Sequence, residues 1–302
     1  MVSAVTVRVP ATTANLGPGF DTLGLALNLW NEAVFQRVES GLAITVQGEG
    51  QDVLPLDRKN LVLRAVEEYC SRINQPVPGL EVRCTNQIPL GSGLGSSASA
   101  TLLGLLGANA IFGEPFSRDQ ILELAIQMEG HPDNAAAAVH GGLVVVSGLD
   151  SHDWLVRCFQ IPALSAAVVL PEFDFPTHTA RAALPKQVPF ADAVFNMGRV
   201  LLVVEALRTG DLDLLGKAME DRLHQPYRIP LIPRAKEVMA AARNAGAAAI
   251  AISGAGPSVI AFAAVDPAQV GAAMVDEFQL VGIPSRSFNL TTTNCGAVLT
   301  TA

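Results

Sequence analysis

The chain has 302 residues, of which 50% are hydrophobic and 16% charged, and its formal net charge is −8. This length predicts roughly two domains with cores of their own, and the composition excludes a disordered chain. An acidic chain whose arginines are scattered suits neither nucleic acid nor an anionic membrane surface, so an anion site has to be built locally.

Val5, Val7 and Val9 alternate with Thr6 and Arg8 and predict a strand ending at Pro10, followed by an irregular loop over 11–21. Strands are expected over 23–29, 33–38 and 44–46, and spacing through Leu63, Val66 and Tyr69 predicts a helix over 60–71. A strand over 80–84 leads into a glycine-rich loop. The helix after it, over 97–112, is apolar nearly all round and belongs in the core. Gly104 and Gly107 each cost that helix about 1 kcal/mol in propensity, so another element is expected to pack closely there. Ser117 and Gln120 have capping-box spacing at the start of a helix over 117–129, and a strand over 142–148 follows. The second half is expected to hold strands over 166–170, 248–252 and 259–263, with helices over 194–208 and 235–244. Uncharged residues 245–265 are long enough for a membrane span, but Ser253-Gly254-Ala255-Gly256-Pro257 interrupts them and favours two strands and a turn. Strands and helices mix without strict alternation, which points to an α+β fold with units over 1–160 and 161–302. Cys70, Cys84, Cys158 and Cys295 have no metal-ligand spacing. With no cationic, apolar leader at its start, the chain reads as cytoplasmic.

Four segments carry chemistry. Ile88-Pro89-Leu90-Gly91-Ser92-Gly93-Leu94-Gly95-Ser96-Ser97-Ala98-Ser99 alternates glycine with small residues and opens a helix, so its amides and the helix dipole suit a phosphate. It is not a P-loop, because no lysine occurs between Lys59 and Lys186, and Ser96 stands where the dinucleotide fingerprint needs glycine. A plain glycine turn before a buried helix is the other reading. Asn15 and Asp21 flank Gly17-Pro18-Gly19, where an amide and a carboxylate can hold an ammonium or hydroxyl, or simply satisfy local backbone. In Glu129-Gly130-His131-Pro132-Asp133-Asn134, a carboxylate leaving a helix suits Mg²⁺, and Asp133 can accept or orient a hydroxyl proton; helix termination with a capping pair explains the same residues. Arg181 and Arg228 each sit in a proline-bounded segment, and an arginine there can clamp a carboxylate or be a solvated surface charge. Ser253-Gly254-Ala255-Gly256-Pro257-Ser258 is a second small-residue loop.

Taken in order, these segments resemble the GHMP kinases, with Pro89 to Ser97 similar to the superfamily's phosphate loop and Ser253 to Pro257 to its C-terminal glycine motif. Asn15-Leu16-Gly17-Pro18-Gly19-Phe20-Asp21, Glu129 to Asn134, Ala180-Arg181 with Leu184-Pro185, and His224 to Arg228 resemble the homoserine kinase branch. The sugar-binding Gly-Glu-His motif of galactokinases and the N-terminal lysine of mevalonate kinases are missing. The resemblance implies a ribosomal-S5-like N-terminal domain, a ferredoxin-like C-terminal domain and a site between them. It implies phosphorylation of the side-chain hydroxyl of L-homoserine by ATP in threonine biosynthesis, with another GHMP substrate such as mevalonate as the alternative. Gly91 to Ser97 would wrap the ATP phosphates, with Pro89, Leu90, Ala98 and Ser99 beside them. Ser97 or Ser96 with Glu129 would hold Mg²⁺, and Asn60 would lie near the adenine. Asn15, Asp21, His131, Asn134, Arg181 and Arg228 would surround homoserine, with Asp133, Asp21 and Glu129 in the catalytic set. A homodimer is the family-level expectation.

Overall fold

The structure is a computed structural model that describes residues 4–150, 153–173 and 175–301. Along the chain, β1 (Ala4–Ala14), β2 (Leu23–Arg37) and β3 (Leu42–Gly48) lead to α1 (Leu61–Arg72), β4 (Leu80–Asn86), α2 (Ser96–Ile111), α3 (Arg118–Glu129) and α4 (Asp133–His140). Then follow β5 (Leu143–Asp150), β6 (Asp153–Phe159), β7 (Ser165–Pro171), α5 (Thr177–Ala182), α6 (Phe190–Thr209), α7 (Leu212–Ala218) and α8 (Gln225–Arg228). The chain continues through α9 (Ala235–Asn244), β8 (Ala247–Ile252), β9 (Val259–Ala263), α10 (Pro267–Gln279), β10 (Ser285–Thr291) and β11 (Val298–Thr301).

Pro10 does not end the first strand. The register of β1 against β2 slips between Pro10 and Ala11, and this irregularity lets the strand run on to Ala14. The two strands expected over 23–38 are likewise one. β2 pairs with β1 along one edge, while its other edge pairs with β5 near its start and β4 near its end. With β3 parallel to β4, β6 beside β5 and β11 outside β1, the sheet has seven strands. β11 comes from the far end of the chain, so residues 298–301 join the first sheet rather than the expected 161–302 unit. A second, antiparallel sheet has the order β10-β7-β9-β8.

Helices α1 to α4 cover one face of the large sheet in a core built on Val7, Phe35, Leu63, Leu102 and Ala137. In β7 and β9 of the second sheet successive residues face opposite sides. Val168, Ile260 and Phe262 turn toward α6, α7 and the leucines of β2, whereas Val169, Val259 and Ala261 face α9 and α10. Leu23, Leu25 and Leu94 thus share a core with the second sheet, and apolar packing joins the halves. Residues 245–265 form β8, a turn and β9, and no described helix is long and apolar enough to cross a membrane.

Helix α2 is buried on nearly every side, as its composition requires. A Cβ on Gly104 would stand 2.2 Å from the Val62 carbonyl of α1, and one on Gly107 would stand 2.3 Å from the Phe35 ring. Gly104→Ala should therefore push two backbones apart and destabilise the protein by about 1–3 kcal/mol, read as a lower urea midpoint. An unchanged midpoint overturns the close-approach assignment.

Candidate active site

The loop between β4 and α2 is shaped by its neighbours. Gly93 and Gly95 have φ of +74° and +72°. A side chain on Gly93 would meet the Ser253 carbonyl at 2.2 Å, and one on Gly95 would meet Thr12 Oγ1 at 2.1 Å. Ser92 Oγ donates to the Pro89 carbonyl (2.7 Å), and the Leu94 carbonyl accepts from Thr12 N (3.1 Å). Gly95 occupies the N-cap of α2 with no side-chain cap, so the first amides of that helix keep their donors free. Ser96, Ser97 and Ala98 line the cavity at this end. Ser253 Oγ donates to the Gly93 carbonyl at 2.7 Å and lies 2.9 Å from Thr13 Oγ1, so the second glycine loop buttresses the first.

The cavity measures about 120 Å³. Its floor is the loop after β1. Asn15, Leu16 and Asp21 all have positive φ there, an unusual backbone for residues with side chains. Asn15 Nδ2 donates to the Gly254 carbonyl (2.7 Å), and Asn15 Oδ1 accepts from Asp21 N (3.0 Å). Arg181, from α5, grips Asp21 with two bonds of 2.9 and 2.8 Å. Arg228 differs. It is 1% exposed, its contacts to Ala180 O and Gly254 O are 3.4 and 3.3 Å, and no described carboxylate lies within ion-pair distance. Burial, with Arg181 adding to it and Asp21, Asp133 and Asp221 opposing it from beyond bonding distance, pushes its pKa down to about 10, so it is charged at neutral pH with no carboxylate bonded to it among the described residues. Both guanidinium carbons lie over the Phe20 ring, at 5.5 Å (Arg181) and 5.1 Å (Arg228).

The third wall is the turn from α3 to α4. Glu129 Oε1 accepts from Ser97 Oγ (2.9 Å) and Thr101 Oγ1 (2.7 Å), which leaves Oε2 without a partner among the described residues. Asp133 is 2% exposed, and its Oδ1 collects Asn134 N (2.8 Å), Asn134 Nδ2 (3.2 Å) and His131 Nδ1 (3.2 Å). Asn134 Oδ1 accepts in turn from Thr12 Oγ1 at 2.8 Å.

Asn15, Asp21, Gly91 to Gly93, Gly95 to Ala98, Glu129, His131, Asp133, Asn134, Arg181 and Arg228 thus all line one cavity. Asn60 does not. Its Oδ1 accepts from Val62 N (3.0 Å) and its Nδ2 donates to Pro55 O (2.8 Å), so it caps α1 with both ends occupied. Pro89, Leu94 and Ser99 are buried outside the lining, and the Leu90 side chain leans on the turn at Gly50. Sequence reasoning missed Thr12, Thr101 and Phe20. Thr101 lies one turn after Ser97 on α2, a spacing that could have revealed it.

His131 holds its proton more firmly than an ordinary histidine. The bond to Asp133 is the main cause, burial opposes it, and the charges of Asp133 and Glu129 add to it. Its folded value lies above the ordinary 6.5, so the pair's stabilisation is complete below that pH and is lost as pH rises through the raised value. The difference in melting temperature between the protein and His131→Gln should narrow from about pH 6 to about pH 9. A constant difference overturns the assignment.

Residues 60–142 match the model of the GHMP kinases N terminal domain and residues 203–279 that of the GHMP kinases C terminal. A homoserine kinase of Moorella thermoacetica is 47% identical over 249 residues, 82% of this chain and 83% of the relative. One from Synechococcus sp. (strain CC9605) is 45% identical over 254 residues, covering 83% and 81%. The crystal structure of homoserine kinase from Cytophaga hutchinsonii superimposes with a TM-score of 0.88 at 33% identity, covering 99% of this chain and 98% of that one. A mevalonate kinase structure shares the fold alone, at a TM-score of 0.69 and 15% identity. This chain belongs to the homoserine kinase family of the GHMP kinases.

Proposed function

We propose that the chain transfers the γ-phosphoryl group of ATP to the side-chain hydroxyl of L-homoserine, giving O-phospho-L-homoserine for threonine biosynthesis. Arg228 carries the reading. A buried guanidinium with no carboxylate bonded to it favours an anion, and here it lines one cavity with Asn15, Asp21 and the uncapped N-terminus of α2. A zwitterionic amino acid satisfies both signs at once: its carboxylate meets Arg228 and its ammonium meets Asn15 and Asp21. Asp21 keeps free lone pairs, and Arg181 keeps three of its five donors, while paired to each other. Mevalonate has no ammonium to satisfy them.

The amides from Gly91 to Ser97 receive the phosphate oxygens and hold the γ-phosphorus in line with the substrate hydroxyl. Asp133 orients that hydroxyl and accepts its proton as the new O–P bond forms and the bond to the β-phosphate oxygen breaks, releasing ADP. Asn60 acts on the nucleotide through the first turn of α1, which it caps.

The oxygens at Ser97 and Glu129 fit Mg²⁺. The free Oε2 of Glu129 is a hard ligand, and no described cluster of three His, Cys, Asp or Glu residues forms an all-protein cage, as expected for an ion that keeps water and phosphate oxygens. Glu129 with Ser97 or Ser96 would hold it, and the bound ion would supply neutralisation of phosphate charge. All four cysteines are free thiols, which suits a reducing cytoplasm.

Purified protein with ATP and Mg²⁺ should release ADP with L-homoserine and not with mevalonate; the reverse preference overturns the reading. Glu129→Ala should lose at least on the order of 10²-fold in turnover, as for other preorganised charge-stabilising groups.

The reading includes a homodimer. Phe190, Val194, Met197 and Leu201 recur at helical spacing on the exposed face of α6. Gly198, in their midst, has no described atom within 4 Å of an added Cβ. A second copy of α6 crossing at Gly198 would set apolar against apolar. Leu202 widens the same exposed apolar strip. Leu201→Lys should run as a monomer in light scattering without losing thermal stability; a wild-type monomer at all concentrations overturns the dimer.

A further inference from the structure

We infer that His224, Asp221 and Asn196 form a buried positioning device that holds the loop from Asn15 to Asp21 in its substrate-binding path and couples it to Arg228. None of the three lines the cavity. All are buried, at 0%, 7% and 2% exposure. The inference rests on the reading that this cavity takes a small zwitterion.

Two consecutive loop carbonyls are gripped from the second half of the chain. His224 Nε2 donates to Gly17 O at 2.7 Å, and Asn196 Nδ2, on α6, donates to Pro18 O at 3.1 Å. Asp221 ties the donors together. Its carboxylate accepts Asn196 Nδ2 (2.7 Å) and the amides of Leu223 (2.8 Å), His224 (3.0 Å) and Gln225 (2.6 Å). The partners determine the tautomer of His224. A carbonyl only accepts and a guanidinium only donates, so Nε2 carries the hydrogen and bare Nδ1 faces Arg228 Nη1 at 3.4 Å. Charged groups near the ring are Asp221, whose Oδ2 is 3.5 Å from Nε2, Arg228 and Asp21, with the Phe20 ring at 5.3 Å. Burial, reinforced by Arg228 and opposed by Asp221, lowers the pKa and favours the neutral ring this geometry needs.

The loop needs such a hold. Asn15, Leu16 and Asp21 have φ of 69°, 48° and 52°. Backbone of this kind is strained for residues with side chains, Leu16 above all, and persists only where the surroundings impose it. Releasing Gly17 would let Asn15 and Asp21 drift while Arg228 loses a partner, so the two ends of the substrate would no longer be met together.

His224→Gln keeps a donor near the Nε2 position, whereas His224→Asn keeps only the reach of Nδ1. His224→Asn should raise KM for L-homoserine on the order of tenfold, the loss of a buried hydrogen bond, with KM for ATP nearly unchanged. His224→Gln should restore most of the loss. Hydrogen exchange of amides 15–23, measured without substrate, should quicken in His224→Asn and not in His224→Gln. Should His224→Asn fail to fold, Asn196→Ser, which releases Pro18 O together with Asp221 Oδ1 and Arg222 N and leaves the His224 bond in place, is read by the same two measures. Unchanged KM and unchanged loop exchange, with only a lower melting temperature, overturn the device. A wild-type protein inactive on homoserine overturns the functional reading instead, and loop exchange still decides the device.

Discussion

The Ser253 carbonyl stands 2.2 Å from where residue 93 would carry a Cβ. Only glycine lets the two loops come so near, and the Ser253 hydroxyl then closes the contact by donating to Gly93 O. One loop rises from the seven-stranded sheet and the other from the four-stranded sheet, so this is where the halves of the chain are locked. The leucines of β2 and the inner face of β7 and β9 bury a shared core beneath it. The position of the phosphate loop, the cavity and everything lining it depends on that close approach.

The charges around the cavity are not equivalent. Arg181 and Asp21 neutralise each other through two short bonds, Glu129 is held by two hydroxyls, and Asp133 has donors converging on one oxygen. Arg228 is buried with no carboxylate bonded to it among the described residues, and Asp21, Asp133 and Asp221 act on it only from farther off. Its neighbours are carbonyls, a histidine nitrogen and the face of Phe20, all weaker partners than a carboxylate. Such a site gains most from a ligand that brings its own negative charge, and in an acidic protein this is how local construction overcomes the sign of the whole.

Much of this was legible beforehand. Period and length located α1, α2, α3 and α9 and most strands of both sheets. The glycines at 91, 93 and 95 and the polar turn at 129–134 marked the site, because these residue types have few other uses in such spacing. Less legible were β1 beyond Pro10, the union of two expected strands in β2, and β6, α7, α10, β10 and β11. Proline stops a strand only when its register cannot slip. Ser285–Thr291 exposes Arg286, Ser287, Asn289 and Thr291 and does not alternate cleanly, apolar Leu155 stands on the exposed side of β6, and β11 has four residues. Asn60 caps α1, and in a sequence a cap and a ligand group look alike.

The sequence by itself determined where most of the strands and the longer helices lie, that a lysine-free glycine loop is present, and which polar groups are available. These follow from local periodicity and backbone sterics, which operate over a few residues. Only the tertiary structure decided that Arg181 is paired and Arg228 is not, that His224 reaches Gly17, and that residues 298–301 return to the first sheet. Those outcomes depend on distances between residues 26 to 296 positions apart, and burial, which sets the strength of each charge, exists only once the chain has closed around it.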